Sequence, residues 1–267
     1  MARRQCEHMH MRQMASLSFS NVTVRRGATR RPVLSNFSWS FDHFPLALLG
    51  PNGAGKSTIL HTAAGALRPS RGLVATIDPD GKMIESSRGR RRVVGLVPQD
   101  ARGFSGLNVR EAVAYAGWLK GLSRSHAWDR SEWCLERLNL MKQARARSTQ
   151  LSGGEQRRLS IAQGLVADPA VLLLDEVTTG LDPAERENLI AIVAELSASK
   201  PVLATTHEVD DLDEVFHYVA VLSEGSVVYE NTTSDFFRLG SAGRSSRDQA
   251  ATAYRVALER PNPNSPT

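Results

Sequence analysis

The chain contains 267 residues, of which 41% are hydrophobic and 23% charged, and these ordinary values allow one large globular domain with a packed core. Its two cysteines, Cys6 and Cys134, are far apart, which excludes a disulfide framework and fits a reducing compartment. No apolar run approaches the roughly 18–20 residues needed to span a bilayer, and the N-terminus lacks the apolar segment of a secretory signal. We therefore expect a cytoplasmic chain.

The net charge of +5 is distributed unevenly along the sequence. Arginines crowd the N-terminal region and recur at residues 88–92, whereas acids dominate residues 175–214. A basic front of this kind is able to contact nucleic acid or an anionic membrane surface. The simpler interpretation, which we favour, is a disordered basic arm over residues 1–15 and a charged, solvated loop at residues 88–92.

The first elements predict an antiparallel β-structure, then a buried strand and a helix. Apolar residues alternate with polar ones over residues 17–24 and again over 37–41, which is the period of a half-buried strand. Residues 46–50, LALLG, are apolar throughout, as expected of a strand covered on both faces. Apolar residues at helical spacing then predict a helix from Lys56, and VVGLVPQ predicts another buried strand.

The middle of the chain, residues 107–149, is predicted to be mostly helical. Asn108 and Glu111 have capping-box spacing, and Gly121 is a typical helix stop. Buried strands follow in AVLLLDE and VLATT, separated by a helix that begins at Asp182. Strands VAVL and SVVYE close the ordered part, and residues 241–267 are predicted to be a mobile tail in which AATAYRVALE is able to form a short helix.

This order of elements predicts an α/β fold. Strand–helix alternation after an antiparallel front is typical of a three-layer core with a mainly parallel sheet. A helical sub-lobe over about residues 107–160 would lie within a single domain that spans residues 16–240. In such a core ligands bind at the carboxyl ends of the strands, so polar residues that follow strands are candidate site residues.

The strongest local signal lies at residues 50–57, GPNGAGKS, which match G-x-x-x-x-G-K-[ST] between a strand and a helix. Glycines let successive backbone N–H groups turn towards a phosphate, and the following helix adds the positive end of its dipole. Lys56 is placed to reach terminal phosphates, and the Ser57 hydroxyl is placed to hold Mg²⁺. A chance match is expected in about 1% of chains of this length, so the motif predicts nucleotide binding.

Polar residues at the ends of other predicted strands complete a candidate hydrolytic site. Asp175 and Glu176 end AVLLLDE, where one carboxylate can bind Mg²⁺ and the other can polarise a water that attacks a γ-phosphate. Gln99 and His207 end two further strands, where they could reach the γ-phosphate, the metal or the water. Alone, such residues are usually ordinary polar strand ends, but a phosphate loop in the same sheet favours the functional interpretation.

Residues 151–155, LSGGE, open another helix. Ser152 and Glu155 have capping-box spacing, which would explain a helix start by itself. Two glycines inside a cap cost about 1 kcal/mol each relative to alanine. We therefore interpret Gly153 and Gly154 as residues that let the helix N-terminus press against an anion, and we predict a phosphate contact here.

Five segments follow one another along the chain: GPNGAGKST, VPQD, LSGGEQRRLSIAQGL, VLLLDEVTTGLD and ATTHE. In this order they resemble the nucleotide-binding subunit of an ABC transporter, over about residues 17–239. The set is specific, because LSGGE at this position is not shared by other P-loop NTPases. The resemblance implies a P-loop NTPase core, ATP and Mg²⁺ as ligands, and ATP hydrolysis. It also implies that two such subunits, identical or paralogous, meet head to tail, so that each signature covers the ATP held by the other.

The resemblance further assigns roles to individual residues. The family usually stacks an aromatic ring on adenine near the end of NVTVRRG, where this chain has Arg26, whose guanidinium can also stack. The implied catalytic and metal-binding residues are the base Glu176, the switch histidine His207, the Q-loop residue Gln99, and the metal ligands Ser57, Gln99 and Asp175. The implied ATP-binding residues are Gly50, Pro51, Asn52, Gly53, Ala54, Gly55, Lys56, Ser57, Thr58 and Arg26. The implied signature acting in trans is Leu151, Ser152, Gly153, Gly154 and Glu155, and the D-loop contains Leu181 and Asp182.

The resemblance also suggests a partner and a direction of transport. The sub-lobe sequence LNVREAVAYAGWLKGLSR resembles the drug and polysaccharide exporter branch. Because the sequence predicts no membrane span, we expect a separate polytopic permease that holds the chain at the inner face of the cell membrane.

Two alternatives are open at this stage. A soluble ABC-type ATPase acting on nucleic acid or ribosomes would explain the basic arm. Relatives of that kind carry tandem cassettes or a long coiled-coil insertion, which this sequence lacks, so nucleic acid is not the expected partner. A small-molecule kinase would leave LSGGE without a role.

Overall fold

The computed structural model describes residues 15–25, 32–100, 103–206, 212–240 and 246–260. Arg26, His207 and the basic arm up to residue 14 lie outside these ranges. The described strands are β1 (Ser16–Val24), β2 (Leu34–Phe41), β3 (Leu46–Leu49), β4 (Arg71–Ile77), β5 (Met83–Ile84), β6 (Val94–Val97), β7 (Val171–Asp175), β8 (Val202–Thr205), β9 (Tyr218–Ser223) and β10 (Ser226–Thr232). The described helices are α1 (Lys56–Ala63), α2 (Ser87–Val93), α3 (Val109–Leu119), α4 (Arg124–Arg137), α5 (Gly153–Leu165), α6 (Pro183–Ser197), α7 (Leu212–Val215), α8 (Thr233–Leu239) and α9 (Ser246–Leu258).

The strands form two sheets, which confirms the predicted α/β fold with an antiparallel front. The first sheet has the order β2-β1-β4-β5 and is antiparallel throughout. The second has the order β10-β9-β3-β8-β7-β6, in which β9 to β6 run parallel and β10 is antiparallel at the edge. The carboxyl ends of β3, β8 and β7 therefore meet at one edge of the second sheet.

The parallel strands are buried on both faces because they separate two hydrophobic cores. In β3, Leu46 and Leu48 join α1 and the antiparallel sheet in one core. Ala47 and Leu49 point into the other core, with residues of α3, α4, α5 and α6. Side chains alternate between the faces of a strand, so a strand between two cores must be apolar at every position.

The helical sub-lobe contains α3, α4 and the start of α5. The predicted capping box of α3 is present: Asn108 Oδ1 accepts from the Glu111 N–H at 2.8 Å, and the Asn108 N–H donates to Glu111 Oε2 at 2.8 Å. In α4, Leu135 is fully buried while Trp133 stays partly exposed. None of the described helices is both long and apolar enough to cross a membrane.

Two sequence-based predictions are wrong in part. Residues 88–92 were expected in a solvated loop, but they form α2, and Arg90 is only 2% exposed because backbone carbonyls accept its guanidinium hydrogens. The tail predicted from residue 241 contains α9, which confirms the short helix expected in AATAYRVALE, but the burial of Ala250, Ala253 and Ala257 contradicts a mobile segment. Small side chains at helical spacing let α9 pack closely against the rest of the domain.

Candidate nucleotide-binding site

The loop between β3 and α1 has the backbone shape of a phosphate-binding loop. Helix α1 begins at Lys56, and its N-cap residue is Gly55, whose φ of 109° lies in the left-handed region. A larger residue would be strained in this conformation, so the loop needs a glycine directly before the lysine. The first N–H groups of α1 have no acceptor within the helix and are available to an anion.

Lys56 lies inside its own loop and is only 5% exposed. Its Nζ donates to the carbonyl oxygens of Gly50 at 2.7 Å and Pro51 at 3.3 Å, and lies 3.5 Å from Glu176 Oε1. Charged phosphate oxygens are stronger acceptors than these carbonyls. A bound triphosphate would therefore compete well for the ammonium group.

Asp175 is held at the end of β7 by hydroxyl groups from two other elements. Its Oδ1 accepts from Ser57 Oγ at 3.1 Å and from Thr205 Oγ1 at 2.7 Å. The Thr205 hydroxyl also accepts from the Glu176 N–H at 3.0 Å, so it aligns both acidic residues. The sequence pattern assigned no role to Thr205, although this hydroxyl ends a buried strand in the same way as the Asp175 carboxylate.

The donor atoms around Asp175 suit a magnesium ion. Ser57 and Asp175 present a hydroxyl and a carboxylate oxygen next to each other, and Mg²⁺ prefers oxygen ligands of this kind. The second carboxylate oxygen of Asp175 lies 4.0 Å from His61 Nε2. Gln99, the third predicted metal ligand, instead donates from Nε2 to Glu176 Oε2 at 3.2 Å. Ser57 and Asp175 would hold the ion, which would neutralise phosphate charge.

Glu176 has an unusual backbone conformation. Its φ of 47° lies in the left-handed region, which costs a non-glycine residue about 1–3 kcal/mol. Hydrogen bonds from its N–H to the Thr205 carbonyl at 3.2 Å and to the Thr205 hydroxyl help to hold it there. Its side chain is 12% exposed and lies between Lys56 and Gln99. Strain of this kind is concentrated at functional sites, so the observation supports the choice of Glu176 as a catalytic residue.

A cavity of about 400 Å³ lies at this site. Its lining combines the phosphate loop with Gln99, Glu176 and Val33. The structure thus brings together the phosphate loop, the Q-loop residue and both acidic residues. Arg26 and His207 were also predicted here, and they fall outside the described residues.

The signature residues 151–155 are not part of the cavity lining among the described residues. Leu151 is buried in the core, and the Glu155 carboxylate accepts from the Ser152 N–H at 2.9 Å and from Gln143 Nε2 at 2.7 Å. The hydrogen bond from the Ser152 backbone is the largest cause that lowers the pKa of Glu155. Leu151 and Glu155 therefore shape the helix start within the chain, while Ser152 and Gly153 are exposed.

The two glycines of the signature differ in their surroundings. A Cβ at Gly153 would meet nothing within 4 Å, whereas a Cβ at Gly154 would lie 2.1 Å from Glu185 Oε2. Glu185 is fixed there by Arg158, whose Nη1 lies 2.5 Å from the same oxygen. Gly154 therefore has a packing role within the chain, since its missing side chain makes room for Glu185, and the phosphate contact predicted for both glycines stays a prediction. Gly153 leaves the helix N-terminus open.

The D-loop residues stand at the start of α6. Asp182 is the N-cap residue of this helix and accepts from the Glu185 N–H at 3.0 Å. Leu181 packs against the core that contains α5. The predicted helix start at Asp182 is therefore confirmed, and it places Glu185 against the signature helix.

Together, the phosphate loop after a buried parallel strand and the acidic residues at the end of β7 define the class of a P-loop nucleoside triphosphatase. The family model described as ABC transporter matches residues 34–179, and the chain belongs to that family. It is an ATP-binding subunit that hydrolyses ATP to power transport.

Individual relatives agree with this assignment. The chain is 38% identical over 212 residues to PF0068 of Pyrococcus furiosus, named as an ABC transporter ATP-binding protein, covering 78% of this chain and 81% of that protein. It is 33% identical over 200 residues to the molybdenum import ATP-binding protein ModC of Brucella suis, covering 72% of this chain but only 54% of ModC.

A solved structure shows the same architecture. The ATP-binding cassette MJ0796, in a dimeric post-hydrolysis state bound to ADP and Pi, is 26% identical to the chain with a TM-score of 0.69. The similarity covers 81% of this chain and 98% of that one.

Proposed function

We propose that the chain works as a dimer of cassettes in which residues 151–155 of one subunit cover the ATP held in the cavity of the other. The observation that carries this proposal is that the signature residues lie apart from the nucleotide cavity of the same chain. Ser152 and Gly153 are exposed at an open helix N-terminus, yet they do not line the cavity of their own chain. The dimeric state of the MJ0796 cassette supports the same arrangement.

Within each site, Glu176 would orient and deprotonate the attacking water. The water oxygen bonds to the γ-phosphorus, the bond from that phosphorus to the bridging oxygen breaks, and ADP and phosphate leave. Lys56 lies 3.5 Å from Glu176 Oε1, and its transfer to phosphate oxygens would remove this contact from the carboxylate. Gln99 holds the other oxygen, Oε2. We also retain Arg26 on adenine and His207 on the γ-phosphate as proposed contacts.

The cassette would drive a separate membrane permease, and we propose export as its direction. The support for export is the similarity of the sub-lobe sequence to the drug and polysaccharide exporter branch, although the relatives include the import protein ModC. The described helices contain none able to span a membrane, in keeping with a separate permease. The permease would hold the cassette at the inner face of the membrane.

Mixed dimers test whether the signature acts across the interface. Lys56→Ala removes a phosphate ligand, and Gly153→Asp sets a carboxylate against the phosphate at a position where a Cβ meets nothing within 4 Å. If the signature acts in trans, a dimer of these two variants has one site with both defects and one with neither. Random pairing makes about half the dimers mixed, so roughly a quarter of wild-type sites should regain ATPase activity.

The control is a mixed dimer of wild-type chain with the double variant. In trans, both of its sites lack one element, and we expect almost no ATPase activity. If the signature acted on its own chain's nucleotide, the outcomes would be exchanged: the control would be active and the first mixture silent. That result would overturn the proposal.

A further inference from the structure

Arg157 of α5 joins two loops that carry proposed catalytic residues. Its Nη1 donates to the carbonyl oxygen of Gln99, and its Nη2 donates to that of Thr179 at 3.4 Å. Gln99 follows β6, while Thr179 lies in the loop between Glu176 and α6. One side chain therefore bridges the carboxyl-terminal ends of two neighbouring strands of the parallel sheet.

Both loops are hydrogen-bonded to Glu176. The Thr179 N–H donates to the Glu176 carbonyl at 3.3 Å, which closes a tight turn directly after the proposed base. On the other side, Gln99 Nε2 donates to Glu176 Oε2 at 3.2 Å. Arg157 thus fixes the turn that sets the backbone of Glu176 and also the residue that holds its side chain.

The chemistry of arginine suits this position. A guanidinium presents donors in a rigid planar fork, so its two Nη atoms can serve two carbonyl groups at once. The pKa of Arg157 is lowered, mainly by burial, and the charge of the nearby Asp100 opposes this shift. A guanidinium nevertheless stays protonated across the working range of an enzyme. Lysine would carry the charge without the fork.

We propose that Arg157 is a positioning residue for ATP hydrolysis, which holds Gln99 and Glu176 of its own chain in their working geometry. This inference rests on the proposed role of Glu176 as the base. Arg157 does not touch the reacting atoms and acts through these two residues. Its loss should therefore slow the chemical step without weakening ATP binding.

The test compares Arg157→Gln and Arg157→Lys with Arg145→Gln, which removes the same charge from an exposed position of the helical sub-lobe. We expect Arg157→Gln to lower kcat by about 10-fold or more, since small displacements of catalytic groups have effects of that size. KM and the Kd for ATP should stay within about two-fold of wild type. Arg157→Lys should recover only part of the rate, and Arg145→Gln should behave as wild type.

Amide hydrogen exchange provides a readout of position. Exchange should become faster in peptides that cover residues 96–100 and 176–182 of Arg157→Gln, and should stay unchanged in α1. A kcat within about two-fold of wild type would overturn the proposal. So would a loss of ATP affinity and thermal stability that accompanies the loss of rate, because that pattern indicates a general structural role.

Glu176→Gln, measured in parallel, separates this inference from the proposed function. If Glu176→Gln keeps most of the ATPase activity, the assignment of the base fails, and the Arg157 proposal fails with it. If Glu176→Gln is inactive while Arg157→Gln is fully active, only the positioning role is overturned.

Discussion

At the scale of single residues, Glu176 has a left-handed backbone conformation that a glutamate disfavours. A residue chosen for stability at a φ of 47° would be glycine or asparagine, yet a glutamate stands there with its side chain between Lys56 and Gln99. The hydrogen bonds that the Glu176 N–H donates to the carbonyl and the hydroxyl of Thr205 help to hold the strained backbone. The site therefore gives up local stability in order to place a carboxylate in the cavity.

The first prediction follows from this placement. Glu176→Gln keeps the size of the side chain and its approach to Lys56, but it removes the group that accepts a proton from water. We expect kcat for ATP to fall by about 100-fold or more, within the range for loss of a general base, while ATP still binds. A dimer with unhydrolysed ATP should accumulate, which size-exclusion chromatography with radiolabelled ATP would detect. Substantial remaining turnover would contradict the assignment.

The second residue-scale prediction concerns the two signature glycines. In Gly154→Ala the new methyl group displaces Glu185 from Arg158, and we expect the free energy of unfolding to fall by about 1–3 kcal/mol. Gly153→Ala adds a methyl group in open space and should change it by about 0.5 kcal/mol or less. Urea denaturation measures the free energy of unfolding of both variants.

The Glu185→Ala variant provides the background in which the effect of Gly154→Ala is measured again as a control. With Glu185 truncated, a Cβ at residue 154 no longer meets a carboxylate, so Gly154→Ala should have a much smaller effect in this background. Equal effects in the two backgrounds would show that the close contact with Glu185 is not the reason for the glycine.

At the scale of elements, Arg90 ties α2 to the end of the phosphate-loop helix and to the antiparallel sheet. Its guanidinium donates to the carbonyls of Ala63 at 3.0 Å and Thr62 at 3.3 Å in α1, to Val74 in β4 at 2.6 Å, and to Glu85. The last carbonyls of a helix lack partners within it, so Arg90 caps α1. The desolvation of this buried group lowers its pKa.

We expect Arg90→Met to lower the free energy of unfolding by about 2–4 kcal/mol, because several buried carbonyls lose their donor. Arg88→Met is the matched control, since Arg88 is exposed on the same helix and should change stability by about 0.5 kcal/mol or less. Chemical denaturation of the two variants measures the difference. If both behave alike, the capping role of Arg90 is wrong.

At the scale of the whole molecule, α3 and α4 present an exposed aromatic surface. It consists of Tyr115, Trp118, Leu119 and Trp128, which are 39%, 47%, 58% and 42% exposed, beside a cavity of about 680 Å³. Clustered apolar side chains at a surface are typical of protein interaction sites. We expect the proposed permease to contact this face, which lies apart from the residues that line the nucleotide cavity.

A charge at the centre of this surface tests the expectation. Trp118→Glu should greatly reduce recovery of the chain in the membrane fraction, because docking would bury an unpaired carboxylate, while the ATPase activity of the isolated cassette stays unchanged. Met83→Glu, at an exposed apolar position of β5, should leave membrane recovery unchanged. Equal membrane recovery of Trp118→Glu and wild type would contradict this contact.

The sequence by itself determined the features that depend on neighbouring residues. The phosphate loop, the buried strands that end at Asp175 and Thr205, and the capping box of Ser152 and Glu155 are local patterns, since a turn, a strand period or a helix cap needs only a few adjacent residues. Because the carboxyl ends of parallel strands meet at one edge, the grouping of Gln99, Asp175 and Glu176 with Lys56 followed as well.

Only the tertiary structure decided which distant groups meet. Arg90 was expected in a solvated loop, and it is buried because carbonyls from α1 and β4, far away in the sequence, accept its hydrogens. Gly154 makes room for Glu185 of another helix, whose carboxylate a Cβ at this position would displace. Arg157 reaches carbonyl groups that lie 58 and 22 residues away along the chain. Contacts of this kind depend on how helices and strands pack, and no local sequence pattern carries that information.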